Sequence, residues 1–376
     1  MEVAERIGKR VKDLREERAW TQQRLAQKVG ASQSTIAGVE SGAQLPGTGL
    51  LSRLADTFRV GLDFFYREKE SPFEMLLRAE EVGPETRGVL RRFTERCTRY
   101  SEIEKLAGVE ISLAPAYEPP SKHMDLLAYA ERIADEARRR LDIGTRPVCD
   151  LAEIVEGDGL RVMGMDAGRH FDGVFLYAED QGGFALVNVN AAISHERRLF
   201  TLAHEYGHFL IHRTLGHRID YDTSVPATNR IEMTANRFAA AFLMPKAALH
   251  SWWLAKGKDN LAELIVVRRS LGVSYRALGW RLANMELISK QLRERLESDE
   301  DGLKAQEELL CGPDSGVCAR IPELSDRQRL LALLAYQNAE VSVSKLADWL
   351  ETDVVTADLI THTLRGEEGP SVPSAG

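Results

Sequence analysis

The stretch that most constrains this chain is Phe200-Thr201-Leu202-Ala203-His204-Glu205-Tyr206-Gly207-His208-Phe209-Leu210-Ile211-His212, an H-E-x-x-H arrangement set in an apolar run. On an α-helix, residues four apart share a face, so His204 and His208 can each turn an imidazole nitrogen to one metal ion. Glu205 beside them is then placed to take a proton from an activated water and return it to a leaving amine. Leu202, Ala203, Phe209, Leu210 and Ile211 would bury the helix around this polar stripe, and two buried histidines with a glutamate need a partner such as a cation. The plain alternative is an amphipathic helix with ordinary histidines.

A catalytic site needs a third ligand. A further histidine six residues beyond His208 is excluded because that position is Thr214. His212 lies about two turns from His204 and cannot easily reach the same ion, so it reads as a supporting residue behind the ligands, and His217 remains open. The better candidate is Glu232, at the head of the alanine-rich run 232–243 that stops at Met244-Pro245. Two histidines and one glutamate leave a fourth position for water, which is how catalytic rather than structural zinc is held. Asn236, one turn on, can accept a hydrogen bond from a ligand imidazole. The alternative for Glu232 is a capping carboxylate on a surface helix. Tyr221, His217, Arg230 and His195 are all candidates for stabilising an oxyanion.

The chain has 376 residues, 44% hydrophobic and 28% charged, enough for two or three globular domains. Its amino terminus is charged, and no apolar run approaches the roughly 18 residues of a spanning helix, so no membrane role and a cytoplasmic location are expected. Cys97, Cys149, Cys311 and Cys318 are too scattered for a disulfide framework and read as plain thiols. The net charge of −8 conceals +3 over residues 1–67 and −11 over the rest, which makes the amino-terminal end the candidate for nucleic acid.

Within that end, Thr21 can cap a helix from Gln22 to Val29, Gly30 can close it, and Ser32 can cap a second from Gln33 to Glu40. Leu25, Val29, Ile36 and Val39 would pack the pair, leaving Gln33, Ser34 and Thr35 at the start of the second helix, where a helix-turn-helix reaches base edges. Further on, 68–109 reads as helix without nameable chemistry, and the Pro-containing run 114–121 reads as a linker. Short strands are expected at 160–163, 173–177 and 184–190, with Gln181-Gly182-Gly183 as a hairpin turn. Residues 297–314 read as acidic and partly loop-like, 330–336 and 343–350 as a last helical unit, and the tail from Gly366 as disordered.

Two resemblances follow from these motifs. Through Thr21-Gln22, Leu25-Ala26, Val29-Gly30, Ser32, Thr35-Ile36, Glu40-Ser41-Gly42 and Pro46 the first 65 residues resemble the Cro/repressor-like (XRE-type) DNA-binding domain. That resemblance implies Gln22 on a phosphate and Gln33 reading an adenine of a double-stranded operator. Gly38, where relatives often carry a longer polar side chain, and Arg24, in place of a frequent Glu, depart from it. A module serving only dimerisation or protein contact is the alternative. Through Arg197-Arg198-x-Phe200-Thr201-x-Ala203-His204-Glu205-x-Gly207-His208 and Glu232-x-x-Ala235-Asn236-x-Phe238-Ala239 with Leu243-Met244-Pro245, residues 125–290 resemble the ImmA/IrrE family of zinc metallopeptidases.

The expectation is therefore an α+β, mostly helical chain. A helix-turn-helix domain at 1–67 and a helical connector and linker at 68–124 precede a zincin-like domain at 125–295 with a small β-sheet and an HExxH helix, and a helical region with its tail fills 296–376. The second resemblance implies a site-specific zinc endopeptidase, with manganese able to take the same ligands, that cuts a partner repressor with its own helix-turn-helix in a stress or prophage type response. A homodimer would strengthen DNA binding. The alternative is a regulator whose zincin domain senses or docks with little or no proteolysis.

Overall fold

The structure, a computed structural model, describes residues 3–18, 20–58, 62–66, 84–110, 112–168, 171–215, 230–253, 259–313, 321–338 and 341–365. The chain divides into two compact units, Met1–Glu80 and Glu81–Gly376. No helix among the described residues is long and apolar enough to cross a membrane.

The described residues of the first unit form helices: α1 (Val3–Glu17), α2 (Gln22–Val29), α3 (Gln33–Glu40), α4 (Thr48–Phe58) and a 3-10 turn at Leu62–Phe65. The capping residues act as their chemistry predicts. Thr21 accepts from the Arg24 N–H, Ser32 accepts from the Thr35 N–H, and Gly30 closes α2 at φ 61°. Ile7, Val11, Leu25, Val29, Ile36, Val39, Leu54 and Phe58 form one core. Gly8 lets α1 meet α3, since a Cβ there would stand 2.1 Å from the Val39 carbonyl oxygen. Arg15 clamps the motif from below, donating from Nε and Nη2 to Glu40 at 2.7 and 3.0 Å.

The second unit begins with α5 (Pro84–Ala107), α6 (Leu126–Arg140) and α7 (Leu151–Gly157). A three-stranded sheet follows: β1 (Leu160–Met165), β2 (Gly173–Ala178) and β3 (Gly182–Asn188), in the order β1-β3-β2. β1 runs parallel to β3, with Val162 opposite Ala185, and β2 runs antiparallel to it, with Phe175 opposite Ala185. Gly182 and Gly183 belong to β3 rather than to the turn; Gly182 sits at φ 84°, and the Arg161 guanidinium occupies the space a Cβ there would need. Then come α8 (His195–Ile211), a 3-10 turn at Arg213–Leu215, α9 (Arg230–Leu243) and α10 (Lys246–Trp253). α8 packs on β2 and β3 on one side and on α9 on the other, while α9 also packs on α6.

The remainder is α11 (Leu261–Leu271), α12 (Tyr275–Asn284), α13 (Lys290–Ser298), α14 (Glu300–Cys311), α15 (Asp326–Asn338), α16 (Val343–Trp349) and α17 (Val354–Arg365). The stretch 297–314, read as acidic and partly loop-like, is mostly helix over its described residues, through Glu300–Cys311. Leu292, Leu296 and Leu303 are buried, and the acidity that suggested a loop is absorbed where Glu307 meets Arg268 at 2.9 Å and the Tyr275 hydroxyl at 2.6 Å. The run 114–121, read as a linker, is tied to the body. The Ala114 N–H donates to the Asp158 carbonyl, the Tyr117 N–H to that of Leu210, and the Tyr129 hydroxyl to that of Glu118. The expected helix over 68–83 and the tail from Gly366 lie outside the described residues.

Candidate metal centre

α8 starts where Ser194 accepts from the Arg197 N–H, and from Thr201 to Ile211 every residue is buried. The apolar flanks named above hold the helix between sheet and α9, so its polar stripe points into protein rather than water. α9 comes close because Gly207 offers no side chain: a Cβ there would lie 2.9 Å from Phe238 Cδ1 and 3.4 Å from the Ala235 Cα. That close approach brings the first turn of α9, and Glu232 with it, over His204 and His208.

The three expected ligands converge. His204 Nε2 lies 3.0 Å from His208 Nε2, and Glu232 Oε2 lies 3.2 Å from the first and 3.4 Å from the second. All three side chains are buried. Their other ring atoms are engaged: His204 Nδ1 stands 3.0 Å from Asn236 Oδ1, and His208 Nδ1 stands 2.9 Å from His212 Nδ1. Asn236 Oδ1 can only accept, so this contact suits the His204 tautomer with its proton on Nδ1, the one that leaves Nε2 able to ligate a metal ion. His212 thus sits behind His208, outside the cluster. Phe175 of β2 stacks on the His208 ring at 6.3 Å and fixes its plane.

Glu205 is 1% exposed and lies against β2. Here the structure supplies a residue that the sequence did not single out. Gly173 opens β2, and a Cβ on it would stand 2.6 Å from Glu205 Oε1 and 2.5 Å from Thr201 Cγ2. The only signal in the sequence was a glycine at the start of a strand, which marks close approach without saying of what. Tyr206, on the opposite side of α8, donates to Asp158, which also binds Arg140. Burial, then the Asp158 charge, holds the Tyr206 phenol well above its ordinary range. Among the oxyanion candidates, Arg230 donates to the Ser121 and Met124 carbonyls at 2.9 and 3.2 Å. His195 is exposed at the first residue of α8, about 13 Å along the axis from His204. His217 and Tyr221 lie outside the described residues.

In the first unit Gln33 and Ser34 are exposed at the head of α3, and Thr35 is half-buried. The Ser34 and Thr35 hydroxyls meet Ser32 Oγ at 2.8 and 2.7 Å. The Gln22 amide donates to Glu40 Oε2 at 2.9 Å, so it is turned toward the Arg15 clamp. Gly38 faces Gln44, whose Oε1 would lie 3.3 Å from an added Cβ; a longer side chain there would press on it. Arg24, at the departure from the capping box, stands over the Trp20 ring at 5.8 Å, beside Arg18 at 5.9 Å and Lys28 at 4.7 Å.

Comparison with known proteins agrees with this division. Residues 11–65 match the family model described as helix-turn-helix, and residues 156–283 match the one described as IrrE N-terminal-like domain, a peptidase family. None of the curated proteins matches. Among solved structures, PlcR of Bacillus thuringiensis, in complex with a peptide and DNA, is 10% identical over 96% of each chain with a TM-score of 0.19. ComR of Streptococcus suis is 14% identical over 96% of this chain and 91% of that one, with a TM-score of 0.16. Scores this low carry no argument about fold or function. The family models and the two units together show a chain that joins an XRE-type helix-turn-helix domain to an IrrE/ImmA-like domain of the peptidase family.

Proposed function

We propose that this chain is a DNA-binding regulator whose second unit is a metal-dependent endopeptidase, with zinc as the expected ion and manganese able to use the same ligands. The observation that carries this reading is the convergence of His204 Nε2, His208 Nε2 and Glu232 Oε2 at 3.0, 3.2 and 3.4 Å. A tetrahedral ion with bonds of about 2.0–2.1 Å holds neighbouring ligand atoms about 3.3–3.4 Å apart. The residues therefore fit such an ion nearly without rearrangement.

When bound, the ion supplies Lewis acidity that acidifies a water and polarises a scissile carbonyl. The chain's own residues do the rest. Asn236 and His212 keep His204 and His208 in the tautomer that leaves Nε2 unprotonated. Glu205, next to the ligand His204 and kept in place by the close approach of Gly173, accepts the proton of the attacking water and returns it to the leaving amine. In the first unit Gln33, with Ser34 and Thr35 beside it, presents the bidentate amide that reads an adenine, and Gln22 turns out from Glu40 to meet a phosphate. A homodimer would set two such helices on a two-fold operator. The substrate is a partner repressor with a helix-turn-helix, as the family resemblance suggests, and its cutting relieves repression in a stress or prophage type response.

The test is to incubate the zinc-loaded full-length chain, and its Glu205→Gln variant, with a lysate of its host and to compare protein termini by mass spectrometry. New termini that vanish with Glu205→Gln establish the protease and name the target. No new termini, with metal bound and the fold intact, would leave a regulator whose second unit senses or docks.

A further inference from the structure

Between α11 and α14 lies a cavity of about 500 Å³. Glu263, Val266, Val267 and Ser270 line it at the i, i+3, i+4, i+7 spacing of one helix face, and Leu310 of α14 stands among them. Asn260 and Ala262 complete the described lining, so Glu263 is its only charged residue. That residue is 7% exposed, and neither of its carboxylate oxygens has a hydrogen-bond partner among the described residues.

The surroundings make this carboxylate unusual. Asn260 caps α11 by accepting from the Glu263 N–H at 3.1 Å, but the Glu263 side chain does not return the bond to the Asn260 backbone as a capping box would. Two other buried acids in this unit have a cation: Glu104 binds Arg161 at 2.7 Å, and Glu307 binds Arg268 at 2.9 Å. The dipole at the start of α11 favours negative charge near Glu263 but gives its oxygens no hydrogen bond. A buried polar group without a partner is costly and calls for an explanation, such as a ligand that completes it. Beside it, Val266 and Leu310 are 49% and 53% exposed, apolar surface that the same ligand would cover.

We propose that this cavity is a binding site for a small organic cation, a primary ammonium on an apolar stem. The ammonium donates to Glu263, and the stem lies along Val266, Val267 and Leu310. A volume near 500 Å³ falls within the range of small-molecule pockets, about 300–1,000 Å³, and is too small for a docked helix.

The experiment is calorimetric titration of the full-length chain with n-hexylamine at pH 7.5, where it is protonated, against n-hexanol and hexanoate as neutral and anionic controls. Hexylammonium is expected to bind at one equivalent, at least about tenfold more tightly than either control, since a hydrogen bond to a charged group contributes about that factor or more. Glu263→Gln should remove the amine's advantage and leave hexanol unchanged. Glu263→Met, which replaces the unpartnered carboxylate with an apolar chain of similar size, should raise the melting midpoint of the ligand-free chain. Hexylammonium binding no better than hexanol, binding indifferent to Glu263→Gln, or a midpoint lowered by Glu263→Met would each overturn the proposal.

Discussion

The second unit contains two buried polar clusters that differ in the groups they bring together. In one, Tyr100, Glu104, Glu156, Arg161 and Arg327 interlock. Arg161 donates to both oxygens of Glu104 at 3.2 and 2.7 Å, and Arg327 donates to Glu104 and to the Tyr100 hydroxyl at 2.8 Å each. In the other, two imidazole nitrogens and a carboxylate oxygen point at one spot, and all three atoms offer lone pairs. The first cluster balances donors with acceptors and is complete as protein. The second gathers three buried atoms of the kind that ligate a metal ion, and the proposed cation would sit among them. Burial of polar groups therefore does not identify a site; convergence of metal-ligating atoms on one spot is the stronger sign.

The sharpest way to break this comparison is to change the number of ligands. His208→Ala, or Glu232→Ala, should abolish stoichiometric metal and all proteolysis, whereas Glu205→Gln should retain the metal and lose proteolysis by about 10² to 10⁴. Metal analysis and termini counting on the same preparations separate the two effects. Next in size, Arg161→Met should destabilise the second unit by up to about 3–5 kcal/mol, because it removes the bidentate partner of the buried Glu104 carboxylate and leaves only Arg327 on it. Denaturant titration should show that loss equally with or without metal, which a structural cluster requires and a metal site does not.

A finer test concerns the groups behind the ligands. Asn236→Ala should weaken metal binding about 10- to 100-fold without changing stoichiometry at saturation, as competition with a chelator would show. A further expected effect, graded with pH, arises in the closed cluster. Burial raises the Glu156 carboxyl from 4.5 to about 7, against the lowering influence of Ser325, the Val162 N–H and Arg327. The folded chain then keeps this proton to higher pH than the unfolded chain. Its contribution is full below about pH 4.5 and lost as pH rises through about 7. Glu156→Gln has no proton to lose, so its stability relative to the parent should increase between pH 5 and pH 8 by up to about 3 kcal/mol. A flat difference across that range would remove Glu156 from the account.

What could be seen in the sequence depended on whether the determinant was local. The caps at Thr21, Ser32 and Gly30 act within one turn, so α2 and α3 were readable to the residue. His204 and His208 share a helix, so their convergence follows from helical geometry alone. Glu232 was reachable through the composition of its helix, but the reason it arrives, the approach of α9 over Gly207, depends on a packing that no spacing encodes. The same holds for Gly173, which sits against Glu205 only because the sheet and α8 meet there. At 297–314 the acidic composition suggested a partly loop-like stretch, whereas Arg268 and Tyr275, some 30–40 residues earlier in the chain, meet Glu307 among packed helices. For Gln22 the residue type suggested a phosphate contact but could not show that, without DNA, its amide donates to Glu40.

The measurement that bears most directly on the metal-ligating cluster is metal content by mass spectrometry of the purified full-length chain, its Glu205→Gln variant and its Glu232→Gln variant, after equilibration with a small excess of zinc. The account predicts one equivalent in the first two and much less than one in the third, with all three folded. A parent chain that holds no stoichiometric metal, or a Glu232→Gln variant that holds as much as the parent, would contradict it.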